Sequence, residues 1–109
     1  MAAIDKVVLE NVKIFLEQLE TRGIHVTKAY LFGSYLTGKT DEWSDIDVAV
    51  ISPQISDDRF EERITLARIA HSIDDRIEPL PFNPANFAID DPLVREIMNK
   101  GLVIHNLGT

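Results

Sequence analysis

The feature that most constrains the fold is a glycine–serine turn placed between two short apolar segments. The first segment, residues 26–32, runs into Gly33-Ser34, and the second, residues 45–51, carries Asp45 and Asp47 at alternate positions. Alternate residues of a strand point to the same face, so these two carboxylates would project together. The apolar run around them predicts a strand buried on both faces. Because like charges repel, such a pair is costly unless a cation lies between its members.

The turn and the carboxylates together suit a metal ion and a phosphate. Mg²⁺ takes oxygen ligands from one or two carboxylates and completes its shell with phosphate oxygens and water. Exposed backbone N–H groups favour phosphate, and we expect them at Gly33-Ser34, where one or two helical turns are predicted over residues 34–38. Lys39 is the nearest cation that could serve the phosphates. A metal ion beside phosphate is the chemistry of nucleotides.

The whole chain limits the number of domains and the class of partner. Its 109 residues predict one domain, residues 1–109, with a real core. Eleven Lys and Arg against eighteen Asp and Glu give a net charge of −7, which disfavours direct nucleic-acid binding and suits a partner with a basic surface. The sequence has no apolar run of membrane-spanning length, no secretory leader and no cysteine, so we expect a cytoplasmic protein without membrane contact.

Periodicity predicts alternating helices and strands, which indicates an α/β (α+β) sandwich with a small mixed sheet flanked by helices. The first expected elements are a helix from about 5 to 20 closed by Gly23, and strands over 26–32 and 45–51. They are followed by a helix capped by Ser56 or Asp57 and running to about 73, and by a second central strand over about 76–80. The last two are a helix opened by Asp91-Pro92 and closed by Gly101, and a strand over 102–105. Pro79 and Pro81 require the third of these strands, over about 76–80, to end early or to have one free side.

Several apolar residues have uses that the sequence leaves open. The long helix is expected to bury a stripe of Phe60, Ile64, Ala67 and His71, widened by Ile69, Ala70 and Ile73, with His71 as a core or interface histidine. In the first helix, exposed Phe15 or Leu16 would allow a homo-oligomer. The segment 82–87 could cap the site or face a partner.

Gly33-Ser34, the ten residues that follow, and Asp45-Ile-Asp47 resemble the signature of the DNA polymerase β-like nucleotidyltransferase superfamily. The short chain and the Gly-Ser-x-x-x-Gly form ending at Gly38 resemble its minimal nucleotidyltransferase (MNT) branch, the antitoxins paired with HEPN-domain toxins. The motif covers only residues 30–50, and the order of elements elsewhere is compatible.

The resemblance implies transfer of AMP from ATP to a hydroxyl, with release of pyrophosphate. Asp45 and Asp47 would hold two Mg²⁺ ions, and Gly33 and Ser34 would hold the β- and γ-phosphates. The family adds a third carboxylate from an adjacent strand. Glu78 is the first candidate, because an acid between apolar strand neighbours is costly to bury without a cation or partner.

Asp74 and Asp75 compete with Glu78 for this role, but they lie at a helix-to-strand turn, where acids are often structural. The chain also departs from the family pattern. The third acid of the family is commonly aspartate, and related sequences often have arginine just after Gly-Ser, where this chain has Tyr35 and Thr37.

The acceptor implied by the resemblance is a tyrosine of a partner HEPN toxin, with this chain as the antitoxin. Two other functions remain open. One is a non-catalytic antitoxin that neutralises its partner by contact alone. The other is transfer to a small-molecule hydroxyl, although relatives of that kind carry an added helical domain to hold the acceptor.

Overall fold

The computed structural model describes residues 6–33, 45–56 and 59–106. Within these ranges it contains three helices and four strands in the order that the sequence predicts. They are α1 (Lys6–Thr21), β1 (Lys28–Phe32), β2 (Ile46–Ile51), α2 (Arg59–Ile73), β3 (Ile77–Phe82), α3 (Pro92–Lys100) and β4 (Leu102–Asn106). The helical turns predicted over 34–38 lie outside the described residues. No helix of the described ranges is both long and apolar enough to cross a membrane.

The four strands form one mixed sheet in the order β3-β2-β1-β4. Strand β2 pairs parallel to β3 and antiparallel to β1, which in turn pairs antiparallel to β4. Five of the six β2 residues are buried, and Asp47 is the exception. The predicted mixed sheet and the burial of this strand on both faces are confirmed.

Each face of the sheet supports its own apolar cluster. Helices α1 and α2 cover one face, where Val12, Leu19 and Leu66 pack against the inward side chains of β1 and β2. Helix α3 covers the other face through Val94 and Ile97. On that second face the sheet contributes alternate residues of β1, β2 and β3, the same set of positions to which Asp47 and Glu78 belong.

The prediction that the third strand, over about 76–80, is central is wrong, because β3 lies at the edge of the sheet. It also continues through both prolines to Phe82. The carbonyl of Phe82 accepts a hydrogen bond from Ser52 N, so the backbone groups of Phe82 point toward β2. Alternate residues of a strand have the same orientation, so the backbone groups of Glu78 and Leu80 point toward β2 as well. Pro79 and Pro81 alternate with them and face outward, where no ladder needs an N–H.

The stripe predicted for the core face of α2 is wrong for Phe60 and Ile64, although Ile69 and Ala70, which were predicted to widen it, are buried. Phe60 is 70% exposed and Ile64 is 42% exposed, whereas Leu66, Ile69 and Ala70 are buried. The helix carries two neighbouring apolar stripes, and both satisfy a period of 3.6 residues. Contacts with α1 and with the sheet decide which one is buried, and periodicity alone does not contain that information.

Two further expectations for apolar residues are resolved by packing. Phe15 and Leu16 are buried in the first cluster, so they are not available for self-association. Phe82 and Phe87 do not cap the site, because their rings contact each other at 5.1 Å between centroids and Phe87 stacks on Tyr30 at 5.6 Å. This aromatic group belongs to the cluster beneath α3.

Candidate active site

Strand register brings two of the candidate carboxylates side by side. Asp47 of β2 pairs with Glu78 of β3, and on its other side it pairs with Phe32 at the end of β1. Paired residues of neighbouring strands project to the same face, so Asp47 and Glu78 point together. Asp45 is exposed and lies one residue before β2. Gly33 directly follows Phe32, so the end of β1 places this glycine next to Asp47.

Gly33 and Asp47 are in direct contact. Gly33 has φ of +83°, a left-handed conformation that L side chains rarely adopt. A Cβ built on this residue would collide with Oδ2 of Asp47. Only glycine therefore satisfies both the backbone conformation and the space left by the carboxylate. The backbone of the turn lies against the carboxylate proposed to hold the metal, which is the juxtaposition expected of a site for metal-bound phosphate.

Asp47 lies close to two other acidic side chains, Asp45 and Glu78. Partial burial raises the pKa of its carboxyl above the ordinary value, and the neighbouring charges of Asp45 and then Glu78 raise it further. Asp47 thus interacts electrostatically with Asp45, one residue before β2, and with Glu78 of β3. Such an arrangement is costly in the absence of a cation, and it uses only oxygen donors, which hard divalent cations prefer.

Glu78 is half exposed, and its Oε1 lies 3.8 Å from Nε2 of His71, which is exposed on the last turn of α2. His71 is therefore not a core residue, and sequence reasoning missed its place beside the site. The short connection between α2 and β3 was the available signal, since a turn of three residues folds the end of the helix back onto the start of the strand.

Asp74, one of the competitors of Glu78, is held by other groups. Its carboxylate accepts hydrogen bonds from Nε and Nη2 of Arg76 and from the side-chain amide of Asn11. The hydrogen bonds from Arg76 are the main reason that its pKa falls to about 2. Asp74 is thus a structural acid of the turn, while the exposed Asp75 makes no such contact with the residues that the structure describes.

The donor types suit Mg²⁺, but they do not form a closed cage. Across residues 6–33, 45–56 and 59–106, no three acidic or histidine side chains are placed closely enough to hold a metal ion together. Asp45 and Asp47 fit the role of the one or two carboxylates that Mg²⁺ takes from a protein, with substrate phosphates completing the shell. Ser34 and Lys39, the other predicted phosphate ligands, lie outside the described residues.

Comparisons with known proteins bear on the family and the fold of this chain. A family model for the nucleotidyltransferase domain matches residues 12–104, which include every described candidate residue. No curated protein sequence matches the chain significantly. Solved structures resemble it at low sequence identity, and they therefore bear on the fold.

Three of these structures are complexes. A toxin–antitoxin with AMP-PNP has a TM-score of 0.63 and 22% identity, over 90% of this chain and 73% of that one. A mutant of the toxin–antitoxin MntA–HpeT has a TM-score of 0.61 and 23% identity, over 88% of this chain and 73% of that one. A complex of tri-AMPylated Shewanella oneidensis HEPN toxin with MNT antitoxin has a TM-score of 0.56 and 24% identity, over 92% of this chain and 72% of that one.

The family match spans most of the chain, and the α+β fold with its mixed sheet is that of these neighbours. The chain belongs to the nucleotidyltransferase domain family.

Proposed function

We propose that this chain transfers AMP from ATP to a hydroxyl of a partner HEPN toxin, with tyrosine as the acceptor, and that it thereby acts as the antitoxin. The observation that carries the proposal is the contact between Gly33 and Asp47, which joins the phosphate turn to the metal-binding strand. A neighbour of the same fold is an MNT antitoxin in complex with an AMPylated HEPN toxin, and another contains AMP-PNP. Both support the choice of nucleotide and partner.

Asp45 and Asp47 would hold Mg²⁺, with Glu78 as the third carboxylate, and we propose two ions. When bound, the metal neutralises charge on the triphosphate and acidifies the attacking hydroxyl. The backbone of Gly33 and Ser34 would orient the β- and γ-phosphates, with Lys39 as the nearest cation. The acceptor oxygen forms a bond to the α-phosphorus, the bond from that phosphorus to the bridging oxygen breaks, and pyrophosphate leaves. Glu78 is the candidate base for the hydroxyl proton.

The net charge of the chain favours a protein acceptor over a nucleic acid. A surface with seven excess acidic charges would repel a phosphate backbone, whereas it would speed encounter with a basic protein surface. ATP and the partner would meet the chain in the cytoplasm, where we place the reaction.

The direct test is incubation of the purified chain with ATP labelled at the α-phosphate, Mg²⁺ and a HEPN-domain protein from the same genome. We expect label on the HEPN protein, no transfer after chelation of the metal, and no transfer by the Asp45→Ala/Asp47→Ala double variant. Peptide mass spectrometry should place the AMP on tyrosine.

The same variant separates catalysis from contact. If wild-type chain binds and neutralises the HEPN protein without transfer, and the double variant does so equally well, the chain is a binding module and the enzymatic proposal is wrong. Label on a small hydroxyl compound without protein partner would instead indicate a small-molecule acceptor.

A further inference from the structure

One side of α2 is apolar and open to solvent. Phe60, Ile64, Ala67 and His71, here called the α2 stripe, recur at positions i, i+4, i+7 and i+11. They cover about 16 Å along the helix at 1.5 Å per residue. The core uses the neighbouring residues Leu66, Ile69 and Ala70 instead. Apolar side chains gathered on one exposed helix face, rather than scattered singly, are typical of an interaction surface.

The α2 stripe connects a pocket to the candidate active site. At its N-terminal end Phe60 lines a pocket of about 250 Å³ together with Leu80, Pro81 and Leu93. At its C-terminal end His71 lies 3.8 Å from the carboxylate of Glu78. The strand that carries Glu78 also supplies Leu80 to the pocket, so pocket, stripe and site are continuous along the β3 edge.

The β3 edge itself does not favour the addition of a strand. The outward positions Pro79 and Pro81 have no N–H, so an added strand would lack two of the ladder hydrogen bonds that give such complexes their affinity. A helix laid against the α2 stripe uses side-chain contacts at intervals of three or four residues and needs no backbone donors. The surface therefore suits a helix with an apolar face.

We propose that the α2 stripe is the docking surface for the acceptor protein, which lays an apolar helix face along it and inserts one side chain into the pocket beside Phe60. The proposal rests on the proposed function. A hydroxyl can react only if its carrier approaches the carboxylates, so a protein acceptor must cover surface next to Glu78. The α2 stripe adjoins this residue through His71 and continues from there to the exposed apolar side chains of Ile64 and Phe60. Docking here presents the acceptor hydroxyl at the His71 end of the helix.

A matched pair of substitutions tests the proposal. Ile64 on the stripe and Ile14 on α1 are 42% and 43% exposed, and both lie within helices. Ile64→Asp and Ile14→Asp therefore introduce the same charge at the same degree of exposure, but α1 carries no candidate site residue. Transfer of labelled AMP is measured against increasing HEPN protein, and binding of Mg²⁺–AMP-PNP to the chain alone is measured by calorimetry.

We expect Ile64→Asp to raise KM for the HEPN protein at least about tenfold, as for an interface residue worth more than 1 kcal/mol. The value of kcat at saturation and the AMP-PNP affinity should stay near wild type. Ile14→Asp should match wild type in all three. An unchanged KM for Ile64→Asp beside active wild type overturns the docking surface and leaves the proposed function standing.

If the wild-type chain transfers no AMP, the proposed function fails, and direct calorimetric binding of the HEPN protein decides the docking surface on its own. Weaker binding by Ile64→Asp but not by Ile14→Asp then supports docking. Equal binding by both variants, or no binding by wild type, overturns it. A stripe that serves a second copy of this chain would show as loss of a dimer in sedimentation by Ile64→Asp with unchanged HEPN affinity, and that result also overturns the proposal.

Discussion

At Gly33 the backbone and the carboxylate of Asp47 occupy a space that admits no side chain. A residue with a Cβ would meet both the penalty of a left-handed φ, about 1 kcal/mol, and the oxygen of Asp47. We expect Gly33→Ala to lower the free energy of unfolding by about 1–3 kcal/mol and to displace Asp47 enough to abolish AMP transfer. Urea denaturation and the transfer assay measure these two effects.

Gly23 provides the control for this substitution. It has φ of +82° but no atom within 4 Å of an added Cβ. Gly23→Ala should therefore show the conformational penalty alone and retain transfer. Equal destabilisation by the two variants, with transfer intact in both, would contradict the contact between Gly33 and Asp47.

The ionised carboxylate of Asp47 costs stability in the metal-free fold, because burial and the charges of Asp45 and Glu78 oppose its ionisation. A carboxyl whose folded pKa is raised above the unfolded value stabilises the fold below the unfolded pKa, and this stability is lost as pH rises through the folded pKa. Asp47→Asn should therefore raise the melting temperature of metal-free protein at pH 7, with the difference vanishing below about pH 4. Thermal unfolding at several pH values checks this, with the exposed Asp75→Asn as control.

In the presence of Mg²⁺ and AMP-PNP at pH 7, we expect wild type to melt at a higher temperature than Asp47→Asn, the reverse of the metal-free order. The ligands bind the folded wild type and stabilise it, whereas Asp47→Asn lacks the charge that holds the metal. A variant that these ligands stabilise as much as wild type would contradict Asp47 as a metal ligand, and a variant less stable than wild type without metal would contradict the raised pKa of Asp47.

The site residues differ in how far the sequence reveals them. Gly33, Asp45 and Asp47 are close in the chain, so strand alternation and a turn suffice to predict that they converge. Glu78 enters through parallel pairing with β2, which requires the topology as well as its chemistry. His71 was assigned to a core or an interface because a period of 3.6 does not distinguish two adjacent stripes of one helix. The roles of Ser34 and Lys39 stay predictions.

At the scale of the elements, the turn between α2 and β3 joins several parts of the fold. Asp74 accepts hydrogen bonds from Arg76 within the turn and from Asn11 on α1. The carbonyl of Arg76 in turn accepts from Ile46 N at the start of β2. The turn thus fixes the position of β3, and with it Glu78, relative to the carboxylate strand.

Asp74→Asn should weaken this connection. The folded pKa of about 2 lies below the ordinary 3.8, so Asp74 stabilises the fold above pH 4 and loses that contribution as pH falls toward 2. The shift corresponds to about 2 kcal/mol of unfolding free energy at neutral pH. Acid titration of stability should show a smaller decline for the variant, and equal declines would contradict the assignment.

The ends of a helix can be predicted from its capping residues, whereas the place of a strand in the sheet depends on pairing that local sequence does not show. Asp91 accepts from Leu93 N and caps α3 as expected, and Gly101 ends it by donating to the carbonyl of Ile97. By contrast, Pro79 and Pro81 were compatible with a short strand or an edge strand. Only the pairing of β3 with β2 alone shows that the whole segment belongs to the edge.

At the scale of the whole molecule, the fold places the candidate carboxylate Glu78 and the exposed α2 stripe at adjacent positions of one sheet edge. Strand β3 carries Glu78 next to Asp47 and, four residues later, ends in the aromatic cluster under α3. Helix α2 then presents its apolar stripe along the same edge. The α+β class and the mixed sheet follow from the alternation of elements, whereas the edge position of β3 and the open stripe follow only from tertiary packing.

The central claim is that Asp45 and Asp47 catalyse AMP transfer to a HEPN protein. The most direct measurement is the intact mass of that protein after incubation with the chain, ATP and Mg²⁺. We predict a mass increase of whole AMP units with wild type and none with the Asp45→Ala/Asp47→Ala variant, provided that the variant still binds the HEPN protein. An unmodified HEPN protein that is bound and neutralised by wild type, or an equal mass increase with the variant, would contradict the claim.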